Sequence, residues 1–455
     1  MRIVGRLLKW IVVLLVAAVV GLAGWLYLAP PALIRVGTGY SAKIVCSNAF
    51  LASRPGDEVL AIDVQAPGHP LLGYITADID PVARTVDAGL LGVFGVSRAV
   101  YREGAGCAVL PDGGEGAAEL PALSPLPQPN VGALWPEGER VAASQEPRLA
   151  AILDNAAMTG PGMRAVVVVH NGRIVGERYG EGFDATTPLL GWSMTKTVTA
   201  GIIGTLVREG RLSVEQDDLF EAWSTDERSA ITVAELMARS SGLAFNEDYG
   251  DVTDVTRMLY LEPDMAGFAL DKPLAGGIGG TFSYSSGTSV MLSRIWQDVF
   301  ADRAEALAWP REALFGPLGM ASAVLEPDEA GTFVGSSYLY ATARDWARYG
   351  EFLRRGGEWN GRQILPEGYV DWMREEAPAS DGAYGRGQLW LQGPGGGDAG
   401  FDLPDDAFWL IGHDGQSTAV IPSRGLVVVR LGLTPSKLGY KPQAMVEALS
   451  ALFAE

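Results

Sequence analysis

The chain has 455 residues, 48% of them hydrophobic, and a formal net charge of -19 from 35 basic and 54 acidic side chains. That length can bury a large core, while an acidic balance with no basic patch repels phosphate backbones and argues against a nucleic-acid partner. Three histidines (His69, His170, His413) and two cysteines (Cys46, Cys107) form no short-range cluster, so no zinc site, iron–sulfur site or other cofactor is expected.

Arg2, Arg6 and Lys9 precede an uncharged stretch from Trp10 to Ile34. Its apolar heart, Ile11 to Ala29, approaches the roughly 20 residues that span hydrocarbon. Residues 1–34 are therefore expected to form a single-pass anchor in the cytoplasmic (inner) membrane, with the basic end inside and the rest of the chain in the periplasm or otherwise outside. Trp25 and Tyr27 fall at the far interface, and Pro30 and Pro31 end the helix. A cleaved signal peptide competes with this reading, although no clear A-x-A site follows the run. A buried helix is the third alternative. Export places Cys46 and Cys107 in an oxidising milieu, where each is the sole candidate partner of the other, and a disulfide between them is expected over two separate buried thiols.

Residues 35–145 carry no clear motif and read as an accessory region and connector. Lys43–Val45 and Val59–Val64 look like short strands between Pro- and Gly-containing turns. Leu120–Gly138, with its PLPQP, reads as an extended connector.

From 146 to 455 the periodicity is more informative. Arg148–Met158 predicts a helix. Arg164–His170 and Arg173–Tyr179 predict a hairpin across Asn171–Gly172. Ser193–Arg208 contains the apolar run Val198–Val207 before Gly210 and reads as a buried helix. Thr232 and Glu235 form a capping box, and Thr288–Val299 is a further helix. Phe408–Gly412, Gln416–Ile421 and Gly425–Leu431 predict antiparallel strands before a last helix at Gln443–Phe453. Strands at both ends of this region and helices between them predict an α/β (α+β) fold. One antiparallel sheet, completed by both chain ends, is flanked by helices and carries a mostly helical insertion.

Chemistry concentrates in three places. Ser193-Met194-Thr195-Lys196 sets a serine and a lysine three apart on one helix face. A neutral amine there can take the serine proton, and helix-terminal N–H groups can steady developing negative charge. Lys196 is one of six lysines and the one with serine three residues earlier. Ser283-Tyr284-Ser285-Ser286-Gly287 offers a phenol to relay protons and a hydroxyl, Ser286, to hold the amine or the substrate. Gly412-His413-Asp414-Gly415-Gln416 lies where one strand approaches the next. There the Gln416 N–H is a candidate oxyanion donor beside that of Ser193, and His413 a substrate-orienting group. Gly191-Trp192-Ser193-Met194-Thr195 lacks the last glycine of G-x-S-x-G, which weighs against a Ser–His–acid triad, although His413 follows the serine in plausible order.

Taken together, these motifs resemble the class C β-lactamase-like serine-hydrolase family, whose members include penicillin-binding proteins, D-aminopeptidases, esterases and aminohexanoate-oligomer hydrolases. The resemblance covers about residues 146–455. SMTK matches S-x-x-K, YSS matches Y-x-N/S, and HDG takes the place of K/H-x-G; ITVAELMARSSGL, FGPLGM and GSSYLYATARDWARYG add to it. It implies Ser193 as nucleophile, Lys196 as its base partner, Tyr284 as proton shuttle, and Ser286, His413, Asp414, Gly415 and Gln416 around the substrate. Ser286 stands where penicillin-processing relatives carry asparagine, and His413-Asp414 replaces Lys-Thr. A lysine there holds a lasting positive charge for a carboxylate, whereas histidine is charged only in part near neutral pH. The expectation is hydrolysis of a small ester, amide or peptide-like substrate through an acyl-enzyme. The alternatives are a slowly acylating penicillin-binding or sensor protein, and a β-lactamase or D-aminopeptidase.

Overall fold

The computed structural model describes residues 2–111 and 119–454. Helix α1 (Arg2–Leu28) is the apolar run, and it ends just before Pro30 and Pro31. Helix α2 (Ala32–Leu51) follows with Pro31 at its N-cap. The expected strand at Lys43–Val45 lies inside α2, and Val59–Val64 is helical across Gly56–Val59 and Leu60–Gln65. Short β-branched runs carry little information when burial against a neighbour decides the backbone, and here α2 buries Ile44 and Val45. Strands β1 (Ile75–Asp80), β2 (Thr85–Leu90), β3 (Phe94–Arg102) and β4 (Gly106–Leu110) form a sheet in that order. Cys46 on α2 is disulfide-bonded to Cys107 on β4, with Cα atoms 6.2 Å apart.

The chain divides into two units. The first takes residues 2–101, 107–111 and 248–263, and the second residues 102–106, 119–247 and 264–454. Thus the helix Asp254–Leu261 packs against α2 in the first unit, where the Tyr40 and Tyr260 rings meet edge to face at 5.7 Å. The connector joins the second: Arg348 donates to the Pro136 and Gly138 carbonyls and pairs with Glu139 at 2.7 Å.

In the second unit the predicted antiparallel sheet is present. Its strands are β5 (Met163–His170), β6 (Arg173–Tyr179), β7 (Phe408–Gly412), β8 (Gln416–Ile421) and β9 (Leu426–Gly432), in the order β7-β8-β9-β5-β6. Both chain ends therefore build it. Asn171 and Gly172 turn the β5–β6 hairpin with positive φ, the conformation that a two-residue Asn-Gly loop favours. One face packs Val166, Val168, Trp409 and Val428 against α3 (Pro147–Asp154) and the last helix, Gln443–Leu452. Asn155 leaves helical geometry and caps a new turn, so Arg148–Met158 is two short helices rather than one. The opposite face receives α4 (Ala343–Arg354), and a Cβ at Gly350 would lie 2.6 Å from Val427.

Replacing Cys46 and Cys107 by serine is expected to lower the unfolding free energy of the first unit by about 4 kcal/mol, the chain-entropy value for a closure of this size. Chemical denaturation reads the loss, and non-reducing peptide mapping should recover the linked pair. Two freely alkylatable thiols in protein isolated without reductant would contradict the pairing.

Candidate active site

Ser193 lies on a short 3-10 turn, Trp192–Met194, that leads into the helix Thr195–Arg208. Local packing determines the turn. A Cβ at Gly191 would meet the Trp346 ring at 2.1 Å, so only glycine fits there. Trp192 then takes φ of 49°, a left-handed conformation uncommon for a bulky residue. The chain bends sharply and delivers Ser193 to the helix start, with Lys196 one turn on. Leu189–Leu190 pairs with Leu339–Ala341, which carries the Ser336–Ser337 segment in beside the helix.

The Lys196 amine is buried and has three oxygen neighbours: Ser193 Oγ at 2.9 Å, Ser286 Oγ at 3.0 Å and the Ser336 carbonyl at 2.9 Å. A neutral amine has two N–H donors and one lone pair. The carbonyl and Ser286 Oγ can take the two donors, which leaves the lone pair for the Ser193 hydroxyl. Desolvation pushes the Lys196 pKa down to about 7, with the Arg239 guanidinium adding to the fall and the Glu247 carboxylate opposing it. Near neutrality about half of such lysines are uncharged, against roughly one in three thousand for a lysine in water. Burial therefore favours the uncharged amine.

Ser286 opens the helix Ser286–Asp298, capped by Ser285. Its N–H donates to Glu247 Oε2 at 2.7 Å and its hydroxyl to Glu247 Oε1 at 2.5 Å. With its proton committed to the carboxylate, Ser286 Oγ is free to accept from Lys196. The Tyr284 side chain neighbours that of Ser193, and the Lys196 amine sits 4.9 Å from the Tyr284 ring centroid. Desolvation, then the neighbouring Tyr384, raise the phenol pKa, so Tyr284 is a neutral donor at ordinary pH. Tyr384 and Trp390 pack against its ring at 6.0 and 5.4 Å. Arg239 is buried beside them, donating to Ser289 Oγ and Gln388 Oε1, each at 2.6 Å, with its guanidinium 5.5 Å from the Tyr284 centroid.

The third motif lies at the turn between β7 and β8. Gly412 comes so close to the serine turn that a Cβ on it would be 2.2 Å from the Gly191 carbonyl. This sets the edge of the sheet beside the serine turn. The Gln416 side chain points away from catalysis: its amide donates to the Gly432 carbonyl and its Oε1 accepts from Gly432 N–H at 2.8 Å. Gly415 has φ of 83° and its carbonyl accepts from buried Arg430 at 3.0 Å, which braces the turn. Asp414 also takes positive φ, and its carboxylate lies 3.4 Å from His413 Nε2. The His413 ring is exposed and meets Trp192 edge-on at 5.8 Å. His413 is thus an exposed residue of this turn, whereas the buried Lys196 amine lies 2.9 Å from Ser193 Oγ.

Glu247, Arg239, Ser336 and Gln388 were not singled out by the sequence. Arg239 stands in the family-like phrase ITVAELMARSSGL and Ser336 in GSSYLY, so a faint signal existed for these two. Glu247 is one carboxylate among 54, and no local pattern marks it.

A serine hydroxyl facing a desolvated amine is equipped to attack an acyl carbon, and the protein is a serine hydrolase of the esterase or amidase type. A family model described as Beta-lactamase matches residues 155–442. That is well over half of the chain, which therefore belongs to this family, on its class C β-lactamase-like side. A 6-aminohexanoate-dimer hydrolase of Paenarthrobacter ureafaciens is 25% identical over 297 residues, covering 60% of this chain and 72% of that protein. Among solved structures, a Bacillus anthracis protein assigned as a 6-aminohexanoate-dimer hydrolase aligns with TM-score 0.55 at 23% identity, covering 74% of this chain and 89% of the other. A penicillin-binding-protein homologue from Caulobacter crescentus aligns with TM-score 0.51 at 18% identity, covering 68% and 99%. These last two likenesses are of fold.

Titration of 13Cε-labelled Lys196 by NMR is expected to show a midpoint near about 7. Because the Glu247 carboxylate favours the ammonium and Arg239 disfavours it, Glu247→Gln should move the midpoint down and Arg239→Gln should move it up. Shifts of the reverse sign would refute this electrostatic assignment.

Proposed function

We propose that this chain is a membrane-anchored hydrolase that cleaves a small, uncharged-ended ester or amide through an acyl-enzyme on Ser193. The observation that carries the reading is the buried Lys196 amine 2.9 Å from Ser193 Oγ. Neutral Lys196 accepts the Ser193 proton as Oγ attacks the acyl carbon. The Ser193 and Gln416 backbone N–H groups hold the oxyanion of the tetrahedral intermediate. Tyr284 passes a proton to the departing alcohol or amine and recovers one directly from the neighbouring Lys196 ammonium, which thereby returns to the neutral amine. The acyl–oxygen bond to Ser193 remains. Water then attacks the ester with its proton taken by the same relay, and the acid leaves as Ser193 regains its hydrogen.

The rim supports the substrate class. The rim has no lysine at His413-Asp414, and the Asp414 carboxylate lies 3.4 Å from His413 Nε2, an arrangement unsuited to an anionic substrate end. The curated relative's name specifies an amide dimer, and a solved neighbour with TM-score 0.54 is described as a hydrolase with promiscuous acyltransferase activity. The curated relative's name fits the amide side of this reading. For location, α1 contains a 25-residue segment, Val4–Leu28, apolar enough to cross a membrane and without burial against the rest of the chain. With basic residues at its start and a disulfide beyond it, the reading is an uncleaved anchor in the inner membrane with residues 35–455 outside.

Ser193→Ala is expected to lower kcat on a p-nitrophenyl ester by at least about 10⁴-fold and to abolish covalent labelling. Lys196→Ala should slow acylation by about 10³-fold, and Tyr284→Phe should cost about 10²-fold in kcat with KM little changed. Since the active lysine is the neutral one, kcat/KM rises with pH and levels off above about 7. Intact mass across short esters, D-amino-acid amides, aminohexanoate oligomers and a chromogenic cephalosporin separates turnover from trapping. Folded Ser193→Ala with full activity would eliminate the mechanism, and stable stoichiometric acylation by every substrate would identify a sensor instead.

A further inference from the structure

Inward positions of β3 step along α2 from its first turn. A Cβ at Gly95 would lie 2.9 Å from Ile34 and 3.2 Å from Pro30. The Gly95 carbonyl accepts from Thr38 Oγ1 at 2.6 Å, and Ser97 Oγ lies 2.9 Å from that same hydroxyl. Both β3 and α2 therefore start at the Pro30 end and run the same way. Leu72 and Ile75, where β1 begins, approach Gly37 at this end too. Ile79, late in β1, meets Gly56 together with Val45 near the other end of α2. It follows that the β2–β3 turn and the 3-10 turn Pro70–Tyr74 sit where α1 leaves, while the β1–β2 turn with Val82 lies at the opposite end.

The two turns at the α1 end are joined, because Leu91 N–H donates to the Tyr74 carbonyl at 2.8 Å. They expose Leu91 at 62%, Tyr74 at 62%, Val93 at 52%, Val96 at 45% and Leu71 at 38%. No Asp, Glu, Lys or Arg occurs in residues 64–77 or 88–97 of a chain that is 20% charged. Single exposed apolar residues are ordinary. A joined, uncharged group of them beside the exit of an apolar helix matches a surface that lies in a lipid interface.

We propose that the turns at 70–74 and 91–93 rest in the headgroup layer of the same bilayer that α1 crosses, in the leaflet where Trp25 and Tyr27 lie. This rests on the anchor reading given above. The second contact fixes the tilt of the α1-bearing unit on the membrane, which a lone helix followed by the short Ala29–Pro31 link would leave free to swivel.

Both native cysteines are consumed by the disulfide, so one introduced cysteine is the single labelling site. Full-length Leu91→Cys, Val82→Cys and Val12→Cys, each carrying an NBD fluorophore, are placed in nanodiscs of phosphatidylethanolamine and phosphatidylglycerol. Retained ester turnover verifies folding. The Leu91 label should be quenched by shallow spin-labelled lipid and show an iodide quenching constant about five-fold below that of Val82, as for an interface-seated group. Equal iodide access at Leu91 and Val82, with the Val12 label in lipid, overturns this proposal alone. A Leu91 label shielded from iodide but untouched by spin-labelled lipid also overturns it, because the cover is then protein. A Val12 label open to iodide overturns the anchor reading and this proposal with it.

Discussion

Removing the Lys196 amine from water is the constraint around which the rest of the site is arranged. An ammonium in that position would face three oxygens and remain protonated if solvent reached it. Burial reverses the preference by penalising charge, and the three contacts to Ser193, Ser286 and Ser336 keep the amine satisfied without supplying a full counter-charge. The nearest carboxylate, Glu247, is held one hydroxyl away, with Ser286 between it and the lysine. Direct contact would make a buried ion pair and stabilise the ammonium. The interposed serine lets the acid steady the network while leaving the lysine able to lose its proton.

Arg239 is the other half of that balance. A buried guanidinium is expensive unless its donors are used, and here Ser289 and Gln388 accept from it. In return it presents positive charge to both Lys196 and Tyr284, which favours the neutral amine. Desolvation carries the Lys196 pKa down to about 7, and the Glu247 and Arg239 charges act on it with opposite signs. They also link the helix after the capping box to Lys196, since Arg239 lies just past Val233–Met237 and its C-cap Ala238 and itself adopts positive φ.

The rim is built separately from the base. Close approach of Gly412 to Gly191 sets the strand edge beside the serine turn, and Arg430 and the Gln416 side chain hold that edge from behind. His413 and Asp414 lie on top of this support, so their chemistry can change without disturbing the lysine.

Several features were legible in the sequence because they are local. The offset of three between Ser193 and Lys196, the Asn171-Gly172 hairpin, the Thr232–Glu235 capping box and the strands on either side of His413–Gly415 each depend on residues within a few positions of one another. The apolar run of α1 is of the same kind. Helix α2 was misread because Lys43–Val45 suits a strand by propensity, and only burial against the sheet decides for helix. The membership of residues 248–263 in the first unit depends on packing across some two hundred residues of chain. Glu247 and Arg239 were invisible for a related reason: electrostatic influence falls with distance in space, and sequence separation does not report that distance. The sequence by itself determined the three-residue offset of Ser193 and Lys196 and the local phrases that hold Tyr284 and His413. Tertiary structure alone decided that the lysine would be dry, which acid and which cation would set its charge, and that His413 would stand at the rim, because desolvation and Coulomb interactions exist only once distant segments are folded against each other.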